Sequence, residues 1–185
     1  MASLLYLGPE GTFTHQAALA LVPEGCTLNP MASLELVLVG LTSGHADFAV
    51  AALNSAAGPI EATRRAIDGG EVEVVREHTI AVSFDLYRPR SDQSTLIGVY
   101  GHEKALAQCQ SWIEDRSLSA RPIASNTAGL AHLRDHAEAG WGAIGPPGLA
   151  EGYGLEVYDQ ALEGSLTHHT LFVLLRRSGT SHANS

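Results

Sequence analysis

The sequence predicts an α/β fold divided into two lobes, and its pattern supports this in three ways. Short β-type runs alternate with segments of helical spacing along almost the whole chain, as they do in layered α/β domains. A long extended run passes through Thr79–Tyr87, and the last apolar run, His169–Leu175, returns after a loop. Two such crossing segments suit a hinged fold with its ligand between the lobes. We place lobe 1 at residues 1–78 with 168–185, and lobe 2 at 79–167.

The elements of the first lobe follow from local signals. Strand Ser3–Leu7 is broken by the turn Gly8–Thr12, because glycine and proline favour turns. Helix Ser33–Thr42 has Ser33 as its cap and Gly44 close to its end. Apolar residues at helical or extended spacing predict the other elements, which are helix Thr14–Leu21, strand Phe48–Leu53, helix Ala62–Ile67, strand Val72–Val75 and the returning strand His169–Leu175.

The second lobe continues the same alternation of strand and helix. Its elements are strands Thr79–Tyr87 and Thr95–Tyr100, helix His102–Ile113, strand Ala120–Ile123, helix Thr127–Ala137, strand Gly142–Ile144, helix Pro147–Glu151 and strand Leu155–Ala161. This order predicts largely parallel sheets, because helices that connect successive strands bring them side by side in the same direction.

Composition excludes several classes of protein. The chain has 185 residues, of which 45% are hydrophobic, so it can bury a large core. A formal net charge of −9 argues against nucleic acid or an anionic membrane as a partner. No apolar run reaches the roughly 18 residues of a membrane span, and the start lacks the basic region of a signal peptide, so we expect a cytoplasmic protein. Cys26 and Cys109 are expected to be reduced thiols, and no His/Cys/Glu grouping has metal-site spacing.

Four predicted strand-to-helix turns carry hydrogen-bond donors. They contain Gly11 and Thr12, Asn54 and Ser55, His102 and Lys104, and Ser125 and Thr127. Ligands of open α/β sheets collect beyond the carboxyl ends of strands, and amides at a helix start attract anions. Tight turns, Asx turns and helix caps explain the same residues without a ligand. Neither a P-loop nor a GxGxxG fingerprint is present, which disfavours a nucleotide.

Lys104 and the histidine pair are the charged candidates. Lys104 falls in the first turn of a helix, where the dipole favours an anion; a bound anion would explain it, and so would a solvated surface position. His168 and His169 are neighbours on an extended segment, so their side chains point to opposite faces. At most one of them can face a ligand, and Thr170 follows directly.

Taken in order, these motifs resemble the prephenate dehydratase catalytic domain over nearly the whole chain. The matching segments are Leu7–Thr14 with Ala17-Ala18, Ala46–Val50 followed by Asn54-Ser55, His102 with Ala105–Cys109, Thr127-Ala128, Ala143-Ile144, Ala150-Glu151 and Tyr153–Leu155. The resemblance implies two α/β lobes like those of type-2 periplasmic binding proteins, with prephenate in the cleft. It further implies a homodimer and no metal or organic cofactor. We expect no ACT domain.

The departures from that family are as informative as the matches. The Glu-Asn-Ser motif of the family becomes Leu53-Asn54-Ser55, and the Thr-Arg-Phe signature becomes Thr170-Leu171-Phe172. The Ser-His-Pro-Gln segment becomes Gly101-His102-Glu103-Lys104. Loss of the arginine in a short chain resembles the prephenate decarboxylases of secondary metabolism, which release carbon dioxide without forming an aromatic ring.

The resemblance assigns a role to each candidate residue. Thr170 would assist departure of the ring hydroxyl, and His168 or His169 would protonate a remote ring carbon instead. Lys104, Asn54, Ser55 and the helix-start amides would hold the pyruvyl carboxylate, while Leu53 and Leu171 would form an apolar wall at the carboxylate that is lost. The full expected binding set is Gly11, Thr12, Asn54, Ser55, His102, Lys104, Ala105, Leu106, Ser125, Thr127, Leu171 and Phe172.

Three functions therefore stay open at the level of sequence. The first is a non-aromatising prephenate decarboxylase that serves the biosynthesis of a non-proteinogenic amino acid or antibiotic. The second is an ordinary prephenate dehydratase of phenylalanine biosynthesis, which the retained Thr170 supports. The third is a module that binds a small acid without turning it over.

Overall fold

The computed structural model describes residues 2–164 and 168–179, which divide into two compact units. Unit 1 contains the described residues up to Ala81 and from His169 onward, and unit 2 is Val82–His168. The predicted lobes also include residues 165–167 and 180–185, which lie outside the described part. Within it, no helix has the length and apolarity needed to span a bilayer.

Strands and helices alternate as an α/β fold requires, which confirms that prediction. In chain order they are β1 (Ser3–Leu7), α1 (Phe13–Leu21), β2 (Thr27–Met31), α2 (Leu34–Thr42), β3 (Phe48–Ser55), β4 (Gly58–Pro59), α3 (Glu61–Asp68), β5 (Val72–Val82), β6 (Asp85–Pro89), β7 (Gly98–Gly101), α4 (Glu103–Gln108), α5 (Gln110–Asp115), β8 (Ser119–Pro122), α6 (Asn126–Asp135), β9 (Trp141–Gly145), α7 (Ala150–Tyr153), β10 (Leu155–Asp159) and β11 (His168–Arg177).

Unit 1 is built on a six-stranded sheet of order β2-β1-β3-β11-β5, with β4 paired to the end of β3. Strand β1 is parallel to β2 and β3, whereas β11 returns antiparallel to β3. Helix α1 packs on one face through Ala17, Ala18 and Leu21. Helices α2 and α3 cover the other face. The sheet therefore has an apolar core on each side, which fixes the register of its strands.

Unit 2 has a five-stranded sheet of order β10-β6-β9-β7-β8. Strand β7 is parallel to β8 and β9, while β6 is antiparallel to β9 and β10. Helix α6 buries Leu130 and Leu133 among Tyr87, Tyr100 and Trp141. The expectation of largely parallel sheets is thus wrong, because both sheets are mixed.

Several predicted boundaries also differ from the structure. The predicted strands Val72–Val75 and Thr79–Tyr87 are in fact β5, which runs unbroken to Val82, and the separate strand β6. The single helix predicted over His102–Ile113 is divided at Cys109, whose backbone angles lie outside the helical region. Strand β2, which was not predicted, lies at the edge of the sheet and carries Pro30, a residue that only an edge position tolerates in a strand.

Glycine at position 98 permits close packing in unit 2. Gly98 pairs with Trp141 across β7 and β9, and a Cβ atom added there would lie 2.6–2.8 Å from atoms of the indole ring. We expect Gly98→Ala to lower the free energy of unfolding by about 1–3 kcal/mol through overpacking, as measured by urea unfolding. The matched control is Gly152→Ala in α7, where no atom lies within 4 Å of the new methyl group. Equal losses in both variants would contradict this account.

A second stabilising feature of unit 2 is a buried ion pair. Arg88 Nη2 donates to Asp92 Oδ2 at 2.8 Å, and the two side chains are 3% and 11% exposed. The same guanidinium donates to the Ser94 carbonyl at 2.8 Å, and Asp92 accepts the Gly140 amide at 2.9 Å. Burial raises the pKa of Asp92, but the bonds from Arg88, Ser94 and Gly140 outweigh it and hold that pKa well below its usual range.

We expect Asp92→Asn to cost about 3 kcal/mol of unfolding free energy at pH 7, because a buried cation loses its partner. A depressed carboxyl pKa stabilises the folded state above the unfolded value of about 3.9 and loses that contribution as pH falls. The difference between wild type and variant should therefore shrink from pH 5 to pH 3 in urea titrations. Asp135→Asn removes the carboxylate from an exposed Arg134 pair and should change little at either pH. A difference that does not depend on pH would contradict the assignment.

Candidate active site

In unit 1, the sheet register collects the predicted site residues of this unit at one edge. Tyr6 of β1 pairs with Val50 of the parallel strand β3, and Leu171 of β11 pairs with Asn54. The turn that follows β1, the end of β3 and the start of the antiparallel β11 therefore lie side by side. At this edge, Gly11 and Thr12 lie in the turn after β1, Asn54 and Ser55 end β3, and β11 begins with His168, the last residue of unit 2, followed by His169, Thr170, Leu171 and Phe172.

The polar groups of the turn after β1 bond to one another. Gly11, at φ 81°, donates its amide to His15 Nδ1 at 3.0 Å. Thr12 caps α1, and its hydroxyl accepts the His15 amide at 3.2 Å and donates to the Pro9 carbonyl at 2.9 Å. The Gly11 amide and the Thr12 hydroxyl, both expected to bind a ligand, are thus engaged in shaping the turn.

Asn54 and Ser55 differ in whether their side chains already have a hydrogen-bond partner. The Ser55 hydroxyl donates to the Gly58 carbonyl at 3.3 Å and closes the hairpin of β3 and β4. Asn54 is half-buried, and its side-chain amide makes no hydrogen bond to any residue that the structure describes. Asn54 pairs directly with Leu171 of β11, and directly paired residues of antiparallel strands turn their side chains to the same face of the sheet.

At the start of β11 the two histidines are not equivalent. His168 and Thr170 are half-buried, His169 is exposed and Phe172 is buried. Phe172 packs in the α1-side core, so alternation puts His168 and Thr170 on that face and His169 on the other. The Thr170 hydroxyl has no hydrogen-bond partner within residues 2–164 and 168–179.

A bulge joins β3 and β11 at this edge. Leu171 pairs with Asn54 but Phe172 pairs with Ala52, so Leu53 is the extra residue of β3. Leu53 packs against the core on the side of α2 and α3. Leu171, which precedes Phe172, points to that same side by alternation. Leu53 and Leu171 are therefore neighbours on the face opposite to that of Thr170.

In unit 2, two helix starts are tied together at one edge of the sheet. Strands β7 and β8 are parallel neighbours, and α4 and α6 follow their carboxyl ends. The His102 amide donates to Asn126 Oδ1 at 2.8 Å. Sequence reasoning missed Asn126; it lies directly after a predicted cap, where Asn side chains often bond to nearby backbone, but nothing in the sequence indicates a bond 24 residues away.

The predicted site residues of unit 2 are largely engaged in capping. His102 Nδ1 accepts the Lys104 amide at 3.2 Å. The Ser125 hydroxyl accepts the Ala128 amide at 3.0 Å and lies 3.1 Å from the hydroxyl of the buried Thr127. The Lys104 side chain is exposed and has no partner among the residues described.

Two further positions of α4 serve packing rather than polar chemistry. Ala105 is buried, and Leu106 is half-buried against Gly101. Nearby, burial and to a lesser degree the charge of Glu163 raise the pKa of Cys109 to about 12. Because the thiolate is the reactive form of cysteine, Cys109 is unsuited to act as a nucleophile at neutral pH.

No group of three or more His, Cys, Asp or Glu side chains in the described ranges is placed to hold a metal ion. Among the unpaired donors of unit 1, those of Asn54 and Thr170 are neutral groups that suit hydrogen bonds to an oxygen-rich small molecule.

Residues 4–180 match the sequence profile of the prephenate dehydratase family. A prephenate dehydratase from Amycolatopsis methanolica is 32% identical over 179 residues, which cover 96% of this chain and 59% of that relative. The chain thus spans about three fifths of the length of that relative.

Two solved structures share the fold. A prephenate dehydratase from Arthrobacter aurescens, in complex with L-Phe, superposes with a TM-score of 0.80 at 30% identity and covers the whole of this chain and 62% of its own. The prephenate dehydratase from Staphylococcus aureus subsp. aureus Mu50 superposes with a TM-score of 0.80 at 23% identity, covering 97% of this chain and 68% of its own.

Proposed function

The chain belongs to the prephenate dehydratase family, and from that membership we propose that it is a lyase that acts on prephenate. The match extends over nearly the whole chain and is the observation that carries the proposal. The names of the relatives favour the family reaction, in which carbon dioxide and the ring hydroxyl both leave and phenylpyruvate is formed. Such an enzyme belongs to the aromatic amino acid pathway.

The chemistry requires two departures from one ring. Loss of carbon dioxide breaks the bond between the ring and its carboxylate, and the electron pair left behind expels the hydroxyl from the opposite ring carbon. Hydroxide is a poor leaving group, so a donor must supply a hydrogen bond or proton as it leaves. Prephenate and one proton then give phenylpyruvate, carbon dioxide and water. The reaction needs no external oxidant or reductant.

Thr170 is our candidate for the group that assists the hydroxyl. Thr170 is half-buried, its hydroxyl bonds to none of the described residues, and it directly precedes Leu171, the partner of Asn54 across β3 and β11. A donor that is already oriented and not engaged elsewhere can stabilise charge that develops in the transition state. Asn54 is the second unengaged donor at this edge and is proposed to bind the substrate. The Ser55 hydroxyl is a weaker candidate because Gly58 already accepts it.

Lys104 and the capping residues of unit 2 are proposed to have different roles. Lys104 carries an unpaired charge at a helix start and is the proposed partner of a substrate carboxylate. His102, Ser125 and Thr127 are engaged in caps, so we propose that they hold the helix starts in place. Leu106 is half-buried and would contribute apolar surface beside Lys104, whereas Ala105 and Phe172 are buried and would act through packing.

A second candidate function is decarboxylation without aromatisation, and the pair Leu53–Leu171 favours it. Both positions are charged in the family motif that this chain resembles, and the bulge between β3 and β11 puts them side by side. Two opposite charges of that motif are thus both replaced by leucine at neighbouring positions. If that charge pair orients the neighbouring threonine, Thr170 loses support here. A deficit of about 4 kcal/mol would slow departure of the hydroxyl roughly a thousandfold.

In this second reaction the electron pair left behind by carbon dioxide forms a bond between a remote ring carbon and a proton. Prephenate and one proton give a dihydro-hydroxyphenylpyruvate and carbon dioxide, and the ring hydroxyl stays. His168 is the better candidate for the proton donor, because it shares the face of Thr170 whereas His169 is exposed on the other face. Histidine suits the role because its usual pKa is close to neutrality.

The product mixture formed from purified prephenate tests both candidates. We expect carbon dioxide release at catalytic rates, with phenylpyruvate identified by the absorbance of its aromatic enol in base. Thr170→Val should lower the rate of phenylpyruvate formation at least tenfold by removing the donor, and Thr170→Ser should restore most of it. Thr42→Val changes a hydroxyl in α2 that bonds only to its own helix and serves as the matched control. A chain that binds prephenate without releasing carbon dioxide would be a binding module and not a lyase.

The apolar pair is tested by restoring charge. We expect Leu53→Glu combined with Leu171→Arg to raise the ratio of phenylpyruvate to dihydro product at least tenfold, because the threonine regains its charged neighbours. The ratio is measured by chromatography with mass detection. Leu36→Arg, at a leucine of α2 that is 48% exposed, controls for added charge. An unchanged ratio in the double variant would remove this position from the control of product identity.

A further inference from the structure

His15 is held in one orientation by three neighbours. It is the third residue of α1, and its amide donates to the Thr12 hydroxyl. Its Nδ1 accepts the Gly11 amide at 3.0 Å, and its ring stacks on Tyr6 with centroids 5.3 Å apart and planes at 24°. A half-buried ring with this many restraints is pre-organised, because little rotational freedom is left for a ligand to remove.

The bond from Gly11 also fixes which ring nitrogen carries hydrogen. An amide donates only to a nitrogen without a proton, so Nδ1 is the acceptor and Nε2 carries the N–H. Nε2 has no partner in residues 2–164 or 168–179. His15 therefore presents a fixed, unpaired donor at the start of a nine-residue helix, in a first turn that contains no acidic residue.

Tyr6 supplies an independent sign that an acceptor belongs here. Its side chain is fully buried, yet its hydroxyl has no hydrogen-bond partner among the described residues. Buried donors without a partner are rare in folded proteins and are costly. Burial, with a smaller contribution from the charge of Glu10, raises the pKa of Tyr6, so the hydroxyl keeps its proton and remains a donor.

We propose that Tyr6 and His15 form the carboxylate-binding subsite of unit 1, with His15 Nε2–H as the outer donor and the Tyr6 hydroxyl as the inner one. The proposal rests on the proposed function, because it takes prephenate as the ligand. His15 is half-buried and Tyr6 is buried, so an anion reaches the histidine first. The polar groups that were expected to bind it, the Gly11 amide and the Thr12 hydroxyl, instead hold this pair in place.

The chemistry selects which of the two carboxylates binds there. Donors that stabilise a carboxylate make its loss as carbon dioxide harder, whereas poor solvation favours that loss. The carboxylate held by Tyr6 and His15 is therefore the pyruvyl one, which survives into the product. The ring carboxylate would occupy less polar surroundings.

Three variants test the subsite by steady-state kinetics with prephenate. His15→Asn keeps an acceptor for Gly11 but removes the outer donor, and Tyr6→Phe removes only the inner hydroxyl. Each should raise KM about tenfold, the effect of one hydrogen bond to a charged group, with kcat changed less than about threefold. His15→Gln places an amide N–H near the position of Nε2 and should keep KM within about threefold of wild type.

Thermal unfolding separates this role from a structural one. Tyr6→Phe should not lower Tm, because the hydroxyl that it removes has no partner in the folded chain. Tyr87→Phe is the matched control, since that buried hydroxyl donates to the Pro146 carbonyl at 2.6 Å. It should lower Tm and leave KM unchanged.

An unchanged KM in either His15→Asn or Tyr6→Phe overturns the subsite while prephenate turnover by the wild type still supports the proposed function. A wild-type chain that neither binds nor consumes prephenate overturns both. A raised KM accompanied by a Tm loss in Tyr6→Phe as large as that in Tyr87→Phe would also overturn the subsite, because the hydroxyl would then act on the fold.

Discussion

The antiparallel return of β11 beside β3 is the constraint on which the candidate site depends. Without it, unit 1 would be a parallel sheet whose carboxyl edge holds only the turn after β1 and the end of β3. The pairing of Leu171 with Asn54 brings Thr170 to that edge from a point more than 110 residues further along the chain. The pairing is fixed by burial, because Phe172, Val173, Leu174 and Leu175 fill both cores of the unit. A slip of one residue would exchange these faces and turn Thr170 to the other side of the sheet.

Sequence periodicity predicted the elements that bury one apolar face, such as α2 with its Ser33 cap. Periodicity predicted elements less well where the strands or helices that they pair or pack with are distant in sequence. Strand β2 has no alternating pattern, because it is an edge strand with Pro30 and is held only by β1. The predicted helix is divided at Cys109, although no glycine or proline there indicates a break. Mixed sheet direction also escaped prediction, since alternation of strand and helix does not reveal where a strand such as β11 returns.

Prediction of the candidate site from sequence was also limited, but for a different reason. Three of the four predicted strand-to-helix turns are present, whereas Asn54 and Ser55 instead end β3 and lead into a hairpin with β4. In each case hydrogen bonding decides which polar groups are available. Thr12, Ser55, His102 and Ser125 all use their side chains to bond nearby backbone. Such local bonds satisfy groups that would otherwise be left unpaired where helices begin and hairpins turn. The sequence patterns that predict these turns therefore select residues that are mostly engaged, and the unengaged ones cannot be recognised without coordinates.

The unpaired donors at Tyr6, His15 and Thr170 lie on one face of the sheet of unit 1. Tyr6 and Phe172 pack with α1, and Thr170, two residues before Phe172, faces the same side by alternation. His15 projects from α1 onto Tyr6. Leu53 and Leu171 face the opposite side of the sheet, so a ligand held by these donors would not contact them. Leu171 can still influence Thr170, because the two are neighbours in β11. The two leucines would therefore affect which product forms by changing the orientation of Thr170. Binding of the substrate and departure of its hydroxyl would then depend on different residues.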